Sequence, residues 1–259
     1  MKKLIRFFVR KIPRPILIKF SGLFSILVRP FYIGNNVTCP VCGKSFRKFL
    51  PYGKNGGDNR LCPKCLSLER HRLMWLYWTE YSDFFTTRKS VLHIAPEQPF
   101  IKRFKKSENI EYTTADLVSP IADLHFDIMQ IPLPDASYDY VICNHVLEHV
   151  PNDITAMKEI FRVLKSGGTA ILQVPINPSF KETYEDATIT DPLEREKHFG
   201  QYDHVRWHGL DYPDRLRSVG FEVEEFDIKD KLPAEKIERY RLDKKEILYV
   251  ARKKYIVVR

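Results

Sequence analysis

The stretch YDYVICNHVLEHV, at residues 138–150, decides how this chain folds. Its first half is mostly aromatic or β-branched, and an apolar run of this length is typical of a strand buried inside a parallel sheet. The run turns polar at Asn144 and His145. The sequence therefore predicts a buried strand that carries two polar side chains at its carboxyl end.

A helix and a second strand follow this strand. Asn152 or Asp153 can cap a helix that runs to about Lys165, because apolar side chains recur there every three or four residues. The glycine pair at 167–168 is expected to end that helix at its C-cap. Residues 169–174, TAILQV, indicate another buried strand. This strand–helix–strand order predicts a parallel βαβ unit, with functional groups at the carboxyl ends of its strands.

The positive charge of the chain is concentrated at its start. The chain has 259 residues and a net charge of +9, yet residues 1–30 alone carry eight Lys and Arg and no acid. The rest of the chain is therefore close to neutral. The basic overall composition describes an N-terminal arm and is not evidence for a nucleic-acid-binding face on the main domain.

The arm, residues 1–37, is amphipathic. Its apolar run, Ile16–Val28, is too short to span a bilayer, which needs about 20 residues, and no small-residue cleavage site follows it. One helical face carries small or polar residues, namely Ser21, Gly22, Ser25 and Arg29. Two interpretations stay open. Residues 1–33 either bind a membrane surface peripherally, through apolar burial and anionic lipid, or form a poorly ordered arm or a helix packed on the protein's own core.

Four of the five cysteines form two CxxC pairs, Cys39 with Cys42 and Cys62 with Cys65, separated by nineteen residues. Two thiolate pairs at this spacing make a tetrahedral ligand set that zinc accepts. Four ligands leave no open position, so this zinc would be structural. An iron–sulfur cluster and four unliganded cysteines are the alternatives. CxxC pairs with an odd cysteine count favour a reducing, cytoplasmic compartment over a disulfide framework.

Several short strands in the middle of the chain end in polar residues. Residues 90–95 predict one strand, 111–116 a second that ends at Asp116, and 123–128 a third that ends near Asp127. No glycine occurs between Asp58 and Ser166. A phosphate-cradling glycine loop is therefore not expected, which argues against a dinucleotide cofactor and against a P-loop.

An ordered set of short motifs runs through the segment from Val91 to Ile176: IPLPDASYDYV at 131–141, LEHV at 147–150, Glu159, RVLKSGG at 162–168, and Val174-Pro175. On these motifs the segment resembles the class I S-adenosylmethionine-dependent methyltransferases, of the type-11-like kind. The resemblance implies an α/β fold, a Rossmann-like seven-stranded methyltransferase sheet. The expected organisation is the arm at 1–37, a zinc ribbon and linking helix at 38–85, and the methyltransferase domain at 86–259.

The resemblance also implies a site for S-adenosylmethionine at the strand ends. Asp116 would bind the ribose hydroxyls, and Asp127 would accept from the adenine amino group. The full set implied for the cofactor is Ala95, Pro96, Glu97, Asp116, Leu117, Asp127, Ile128, Asn144 and His145. The sequence departs from the family in the first loop, where HIAPE at 93–97 replaces the usual acid-x-Gly-x-Gly. S-adenosylmethionine carries no phosphate, so this loop need not cradle an anion.

The polar stretch at 177–209 has no clear periodicity and is rich in aromatic residues and histidines, which favours a functional loop over the strand ends. We interpret it as a substrate lid. No catalytic residue can be assigned, and the candidates for a general base are His145, His149, His204 and His208. We expect His149 to begin a helix behind the strand and to be structural. Asp203 is a candidate to orient His204.

The chain should end in a helix and two strands. Asp211 can cap the helix and Gly220 can close it, and strands are expected at 221–228 and 246–251. The resemblance implies that these strands form an antiparallel hairpin at the sheet edge.

Three classes of function remain. The first is methylation of a small molecule or glycan, which in one version takes place near a membrane. The second is methylation of RNA or protein with the zinc ribbon as reader, and the third is a non-catalytic relative that only binds. The near-neutral main domain disfavours RNA, because nucleic-acid binding depends on phosphate neutralisation.

Overall fold

The computed structural model describes residues 22–53 and 57–255. The chain divides into two compact units. The first contains the residues up to Asp83 together with Ile228–Glu246, and the second contains Phe84–Asp227 together with the residues from Ile247 onward. The domain boundaries expected from the sequence did not include the return of Ile228–Glu246 to the first unit.

The first unit is built from two small hairpins and two helices. Strands β1 (Val37–Cys39) and β2 (Lys44–Phe46) pair antiparallel, as do β3 (Leu50–Tyr52) and β4 (Gly57–Leu61). Helix α1 (Glu69–Glu80) lies inside the expected linking helix. Residues 22–28 are helical, and a 3-10 turn follows them. Of the expected arm, residues 1–21 lie outside the described residues, as do residues 54–56 of the expected ribbon.

A buried arginine ties the parts of the first unit together. The Arg72 side chain is fully buried on α1. Its Nη1 donates to the carbonyls of Arg60 and Ser67, and its Nη2 donates to the carbonyl of Arg241 in the returning segment. The guanidinium also lies 4.7 Å from the ring centroid of Phe49. These contacts satisfy most of a charged group that would be costly to bury alone.

The second unit is a seven-stranded sheet of the Rossmann-like methyltransferase type, which confirms the expected fold class. The strand order is β12-β13-β9-β8-β5-β6-β7. The strands from β9 to β7 run parallel, while β13 is antiparallel to both of its neighbours. The strands of this sheet are β5 (Lys89–Ile94), β6 (Ile110–Asp116), β7 (Leu124–His125), β8 (Tyr138–Asn144), β9 (Leu164–Gln173), β12 (Glu222–Asp227) and β13 (Ile247–Arg252).

The stretch that opened the sequence analysis forms β8 at the middle of the sheet. Its apolar residues are buried because the sheet is covered on both faces. Cys143 is fully buried within the strand, as expected of a small apolar side chain. Helix α3 (Asp153–Val163) follows, and the Asn152 side chain caps it by accepting from the Thr155 amide. Between β5 and β6 lies helix α2 (Gln98–Phe104).

The expected C-cap at residues 167–168 is wrong. Helix α3 ends at Val163, and Leu164 already has extended backbone angles and begins β9. The glycine pair instead binds the chain after β13, because the Gly167 amide donates to Lys253 O and the Lys253 amide donates to Gly168 O. Gly167 has φ 77°, and a Cβ there would lie 2.3 Å from the Tyr255 ring. The left-handed φ at Gly167 therefore favours glycine there, and the Tyr255 ring occupies the space that a Cβ would take.

Other elements differ in extent from the expectation. The third strand is only β7, Leu124–His125, shorter than the predicted 123–128. Strands β12 and β13 pair antiparallel as implied, but residues 228–246 separate them, so they are not a tight hairpin. That insertion contains helix α6 (Ala234–Tyr240).

The polar stretch at 177–209 has more regular structure than its sequence indicated. It contains strands β10 (Tyr184–Glu185) and β11 (Arg206–Trp207), which pair antiparallel, and helix α4 (Pro192–Phe199). Asp191 caps α4, and Gly200 ends it with φ 84°. The next helix, α5 (Tyr212–Val219), is closed by Gly220 as expected. Asp211 does not cap α5, because its carboxylate accepts from the Thr183 hydroxyl instead.

Within residues 22–53 and 57–255, no helix is both long and apolar enough to cross a membrane.

Candidate functional site

A cavity of about 240 Å³ lies where the parallel strands of the second unit end. Ala95 follows β5, and Asp116 ends β6, so the cavity opens at the carboxyl edge of the sheet. This is where ligands bind in open α/β sheets. The cavity is lined by Ile94, Ala95, Asp116, Leu117, Phe126, Asp127, Ile128, Met129, Val146, His149, Val150 and Pro151.

Five of the nine residues expected at the cofactor line this cavity. They are Ala95, Asp116, Leu117, Asp127 and Ile128. The other four, Pro96, Glu97, Asn144 and His145, are not among the lining residues. Glu97 and Asn144 are nevertheless joined, because Asn144 Nδ2 donates to Glu97 Oε2 at 2.8 Å. The first loop and the end of β8 are therefore coupled directly.

The two acids of the cavity each use one carboxylate oxygen to shape their own loop. Asp116 Oδ1 accepts from the amides of Val118 and Ser119 at 2.9 and 2.8 Å. Asp127 Oδ1 accepts from the Met129 amide at 2.8 Å. The described residues offer no hydrogen-bond donor to the second oxygen of either carboxylate, so this oxygen is available to a ligand. Two acceptors on neighbouring strand ends suit a ligand that presents hydroxyl and amino donors.

The first loop contains no glycine, but its alanine, Ala95, adopts a backbone conformation that is typical of glycine. Ala95 has φ 51°, in the left-handed region, and its amide donates to Ala115 O at 2.8 Å. His145, at the end of β8, has φ 54° and donates its amide to Gln173 O at 2.7 Å. Non-glycine residues in this conformation cost free energy, and such strain clusters at functional sites. The two strained residues follow the two central strands of the sheet.

A turn after β8 carries two more ionisable groups. His149 was expected to begin a helix, but Glu148 and His149 lie in this turn, and His149 lines the cavity. The Glu148 side chain is 1% exposed, and its Oε1 lies 3.2 Å from His145 Nδ1. Burial is the largest influence and would raise the pKa of Glu148, but the hydrogen bond and charge of His145, a backbone hydrogen bond and the charge of His149 together hold that pKa below its usual value. Glu148 is therefore a buried carboxylate.

The remaining candidate bases, His204 and His208, are both buried. Burial lowers the pKa of each, that of His208 to about 4. Asp203 was a candidate to orient His204, but its Oδ2 lies 3.5 Å from His149 Nδ1. The His149 and His204 rings meet edge to face, with centroids 4.8 Å apart. The fold thus brings His204 to the turn after β8.

Arg206 is the structural residue that the sequence did not single out for a role. Its side chain is 2% exposed, and its guanidinium donates to the carbonyls of Leu147, Val150 and Pro151. Its Nε also donates to Glu185 Oε2 at 2.9 Å. This one cation holds the turn that forms a wall of the cavity. The stretch around Arg206 is polar and has no periodicity. Nothing in the sequence therefore distinguishes this arginine from its polar neighbours.

Several motif residues that carry the family resemblance are structural. Arg162 donates to Glu159, to Asp135 and to the carbonyls of Ile131 and Leu133. This network fixes the loop that leads from the cavity into β8.

A similar network lies at the other end of the sheet. Asp139 accepts from the Ser90 amide and hydroxyl and from Lys165 Nζ, at 2.7 to 2.8 Å. These motif residues therefore maintain the fold and do not contact the cavity.

The four cysteines of the first unit form a compact cluster, with all four sulfurs within 4.8 Å of one another. Cys39 Sγ lies 3.6 Å from Cys65 Sγ, and Cys42 Sγ lies 3.8 Å from Cys62 Sγ. Sulfurs bound at about 2.3 Å to a tetrahedral zinc lie about 3.8 Å apart. The cluster therefore has the dimensions of a four-thiolate zinc site.

The two CxxC loops have the same backbone design. The Gly43 amide donates to Cys39 O at 2.8 Å, and the Leu66 amide donates to Cys62 O at 3.0 Å. Both residues after the second cysteine are left-handed, with φ 65° at Gly43 and 58° at Leu66. Two matched turns thus present their sulfurs to one point.

Residues 77–172 match the sequence model of the family described as "Methyltransferase domain". This part of the chain is therefore similar to methyltransferase domains. Demethylmenaquinone methyltransferase of Staphylococcus epidermidis is 41% identical over 64 residues, which cover 24% of this chain and 27% of the relative. The same enzyme of Staphylococcus haemolyticus is 40% identical over 65 residues, with the same coverage. The chain therefore spans about a quarter of the length of the curated relatives it matches.

Solved structures resemble the chain at lower identity. The [4+2]-cyclase SpnF is 17% identical, covers 94% of this chain and 98% of its own, and gives a TM-score of 0.50. The Burkholderia thailandensis 1,6-didemethyltoxoflavin-N1-methyltransferase, with bound 1,6-didemethyltoxoflavin and S-adenosylhomocysteine, is 15% identical, covers 65% and 72%, and gives 0.44. Likeness at this identity concerns the fold alone. A cyclase on this fold illustrates that a fold does not identify a reaction.

Proposed function

We propose that the chain is an S-adenosylmethionine-dependent methyltransferase and that its acceptor is a small molecule or a glycan. The observation that carries the proposal is the cavity at the sheet edge, with Asp116 and Asp127 on neighbouring strand ends. The methyltransferase family of residues 77–172 supports the same conclusion. The curated relatives, named for demethylmenaquinone, favour a small-molecule acceptor over a macromolecule.

In this proposal the residues fit the cofactor by their hydrogen-bonding capacity. The remaining oxygens of Asp116 and Asp127 would accept from the ribose hydroxyls and from the adenine amino group, with Leu117 and Ile128 as the apolar walls around the base. Ala95 and Pro96 would border the methionine part. Asn144 and His145 would place the end of β8 next to the methionine part. Asn144 would also fix Glu97 through their hydrogen bond. When bound, S-adenosylmethionine supplies an electrophilic methyl group, and the protein's task is to position the acceptor and exclude water.

Calorimetry with S-adenosylmethionine and S-adenosylhomocysteine tests the cofactor directly. Asp116→Asn keeps the shape of the side chain but removes a charged acceptor. A hydrogen bond to a charged group contributes about 1.5–3 kcal/mol, so affinity should fall about 10- to 100-fold. Asp214→Asn, on the exposed face of α5, is the matched control and should bind like wild type. If the wild-type protein shows no binding at millimolar ligand, the enzyme proposal fails.

The acceptor class is tested separately. A labelled-methyl assay on lysate fractions of small molecules and glycolipids, RNA, and protein should place the label in the first fraction. Label in RNA or protein would overturn the small-molecule proposal while leaving methyl transfer itself intact.

We also propose that Cys39, Cys42, Cys62 and Cys65 bind a structural zinc. The sulfur–sulfur distances carry this proposal. Zinc with four thiolates has a net charge of −2, and the buried Arg72 guanidinium offsets part of it. The Ser67 hydroxyl, 3.1 Å from Cys39 Sγ and 3.3 Å from Cys65 Sγ, is placed to donate to the thiolates.

Zinc released by a thiol reagent and measured colorimetrically should amount to one ion per chain. Cys65→Ser should lose that ion, whereas Cys143→Ala, at a buried cysteine in β8, should retain it. Iron and the visible absorption of an iron–sulfur cluster, or equal zinc in Cys65→Ser, would overturn the proposal.

Finally, we propose peripheral membrane contact through residues 1–33. In the described part of this segment Ser25 points inward, and its hydroxyl donates to the carbonyls of Pro63 and Lys64. The apolar side is left outward, and five large apolar residues are 56–76% exposed, namely Leu23, Ile26, Leu27, Phe31 and Ile33. An exposed apolar patch next to a basic segment suits an anionic bilayer surface.

Flotation with anionic vesicles tests this contact. The double variant Leu27→Asp with Phe31→Asp should lose flotation, while Leu193→Asp, at an exposed leucine of α4, should keep it. Equal flotation of all three proteins would refute membrane contact through this segment.

A further inference from the structure

Three potential metal ligands meet beside the cavity of the methyltransferase domain. One ligand atom from each of Glu148, His149 and His204 lies within 4.8 Å of the other two. His149 also lines the cavity. Glu148 and His149 come from the turn after β8, and His204 comes from the segment that leads into β11. Segments distant in the chain thus converge on one point next to the proposed cofactor site.

The hydrogen bonds of the two histidines determine which nitrogens can bind a metal. His149 Nδ1 lies 3.1 Å from Asp203 O, and His204 Nδ1 lies 3.0 Å from Phe199 O. A carbonyl only accepts, so each Nδ1 carries a proton, and in the neutral ring each Nε2 then has a lone pair. Metal-ligating histidines usually donate their other N–H to a carbonyl or carboxylate in this way. Both rings are therefore in the tautomer that a metal requires.

Glu148 is the third member. Its side chain is 1% exposed, and Oε1 is committed to His145. Among the residues that the structure describes, the buried Oε2 has no hydrogen-bond partner. A buried carboxylate oxygen without a hydrogen-bond partner is costly. A cation bound by this oxygen would remove this cost.

We propose that Glu148, His149 and His204 bind a divalent first-row transition-metal ion, and that this ion activates a hydroxyl group of the methyl acceptor. Two histidines and one carboxylate leave coordination positions open. A metal-bound hydroxyl loses its proton more readily, so O-methylation would need no separate protein base. The inference rests on the proposed methyltransferase function and narrows its acceptor to an alcohol or phenol.

The transfer step balances without a further reactant. The acceptor oxygen forms a bond to the methyl carbon while the bond between that carbon and the sulfonium sulfur breaks. The hydroxyl proton passes to water, and neutral S-adenosylhomocysteine is the second product. His145 acts as a positioning residue, because its Nδ1 holds Glu148 in place.

Metal binding requires a small contraction of the site. Adjacent ligand atoms about 2.1 Å from a metal lie about 3 Å apart, which is closer than the 4.8 Å spread of the three ligand atoms here. His204 Nε2 also lies 2.8 Å from the side-chain amide of Gln201. Gln201 is exposed, so its side chain can turn into solvent and release His204.

Manganese(II) binding to the full chain tests the site without requiring activity. Mn²⁺ prefers oxygen ligands over thiolates, so we expect the cysteine cluster not to compete for it. Electron paramagnetic resonance titration should find one Mn²⁺ site per chain. We expect at least tenfold weaker binding in His204→Gln and in Glu148→Gln. His198→Gln, at an exposed histidine of α4, is the matched control and should bind as wild type does.

A second measurement uses the wild-type protein alone, so it does not depend on how well the variants fold. Pulsed electron paramagnetic resonance of the bound Mn²⁺ should show couplings to two histidine nitrogens. Absence of these couplings, or equal Mn²⁺ affinity in folded His204→Gln, would overturn the metal site. S-adenosylmethionine affinity is measured on the same samples. Loss of cofactor binding with intact Mn²⁺ binding would contradict the proposed function, whereas the reverse result would contradict only the metal site.

Discussion

Replacement of Arg206 by methionine should destabilise the sheet unit severely. The Arg206→Met side chain is unbranched and apolar, so it fills the space of the arginine methylene groups, but it lacks the guanidinium. The side chain is 2% exposed, and its Nη atoms satisfy the carbonyls of Leu147, Val150 and Pro151. The variant would leave these carbonyls without their donors, and Glu185 would lose its cation.

The magnitude follows from this burial. Each buried acceptor left unsatisfied costs about 1–3 kcal/mol, and removal of one partner from a buried charge network costs about 3–5 kcal/mol. These costs overlap, so we expect a loss of about 3–5 kcal/mol in the free energy of unfolding. The turn at 147–151 also forms a wall of the cavity, so affinity for S-adenosylmethionine should fall as well.

Native-state hydrogen exchange, measured on peptides from β8 and β9, reports the free energy of opening of this sheet by itself. The matched control is Arg217→Met, which removes an arginine that is 45% exposed and paired with Asp214 and Glu225. Exposed ion pairs contribute about 0–1 kcal/mol, so the control should change little. A loss below about 1 kcal/mol in Arg206→Met would refute the assignment of this residue as the anchor of the turn.

Three further predictions concern pH, a glycine and the zinc. Burial lowers the pKa of His208 to about 4, against about 6.5 when unfolded. The unfolded chain binds more protons between these values, so stability should fall by about 2 kcal/mol toward pH 5. Urea unfolding of His208→Phe should show a smaller fall, and an equal fall would contradict this. Gly200→Ala places a Cβ 2.5 Å from the Trp207 ring at φ 84°, so it should lower the melting temperature at a cost above about 1–2 kcal/mol. Gly22→Ala, whose added Cβ meets no atom within 4 Å, should not lower the melting temperature. Chelation of zinc should abolish amide protection in β1 and β2 while β8 stays protected, and unchanged protection would exclude a structural metal.

The sheet and its strand ends could be predicted because each depends on local pattern. The apolar run of β8, the Asn152 cap and the closing Gly220 are signals within a few residues of the element they define. The acids Asp116 and Asp127 follow from the same logic, since parallel strands present their carboxyl ends at one edge. The glycine pair at 167–168 was misassigned, because a local pattern cannot show that the chain after β13 and the Tyr255 ring pack against it.

The polar stretch at 177–209 marks the limit of local reasoning. Asp191 is a clear N-cap for helix α4. The helix has too few apolar residues, however, for a helical hydrophobic period to be recognised in the sequence. The burial of Arg206 depends on three backbone carbonyls that are more than fifty residues away in the chain. Side-chain type alone does not distinguish a buried anchor from a surface cation.

The sequence by itself determined the parallel sheet, the two CxxC pairs and the acids at the strand ends. These features follow from periodicity, spacing and strand direction, which are local properties. Only the tertiary structure decided which histidines share a site. It placed His204 against Glu148 and His149, turned Asp203 toward His149, and left His208 buried among core side chains. Those outcomes depend on how β11 packs against the turn after β8. The packing buries the Arg206 guanidinium, and hydrogen bonds to distant parts of the chain satisfy it. No short stretch of sequence encodes those contacts.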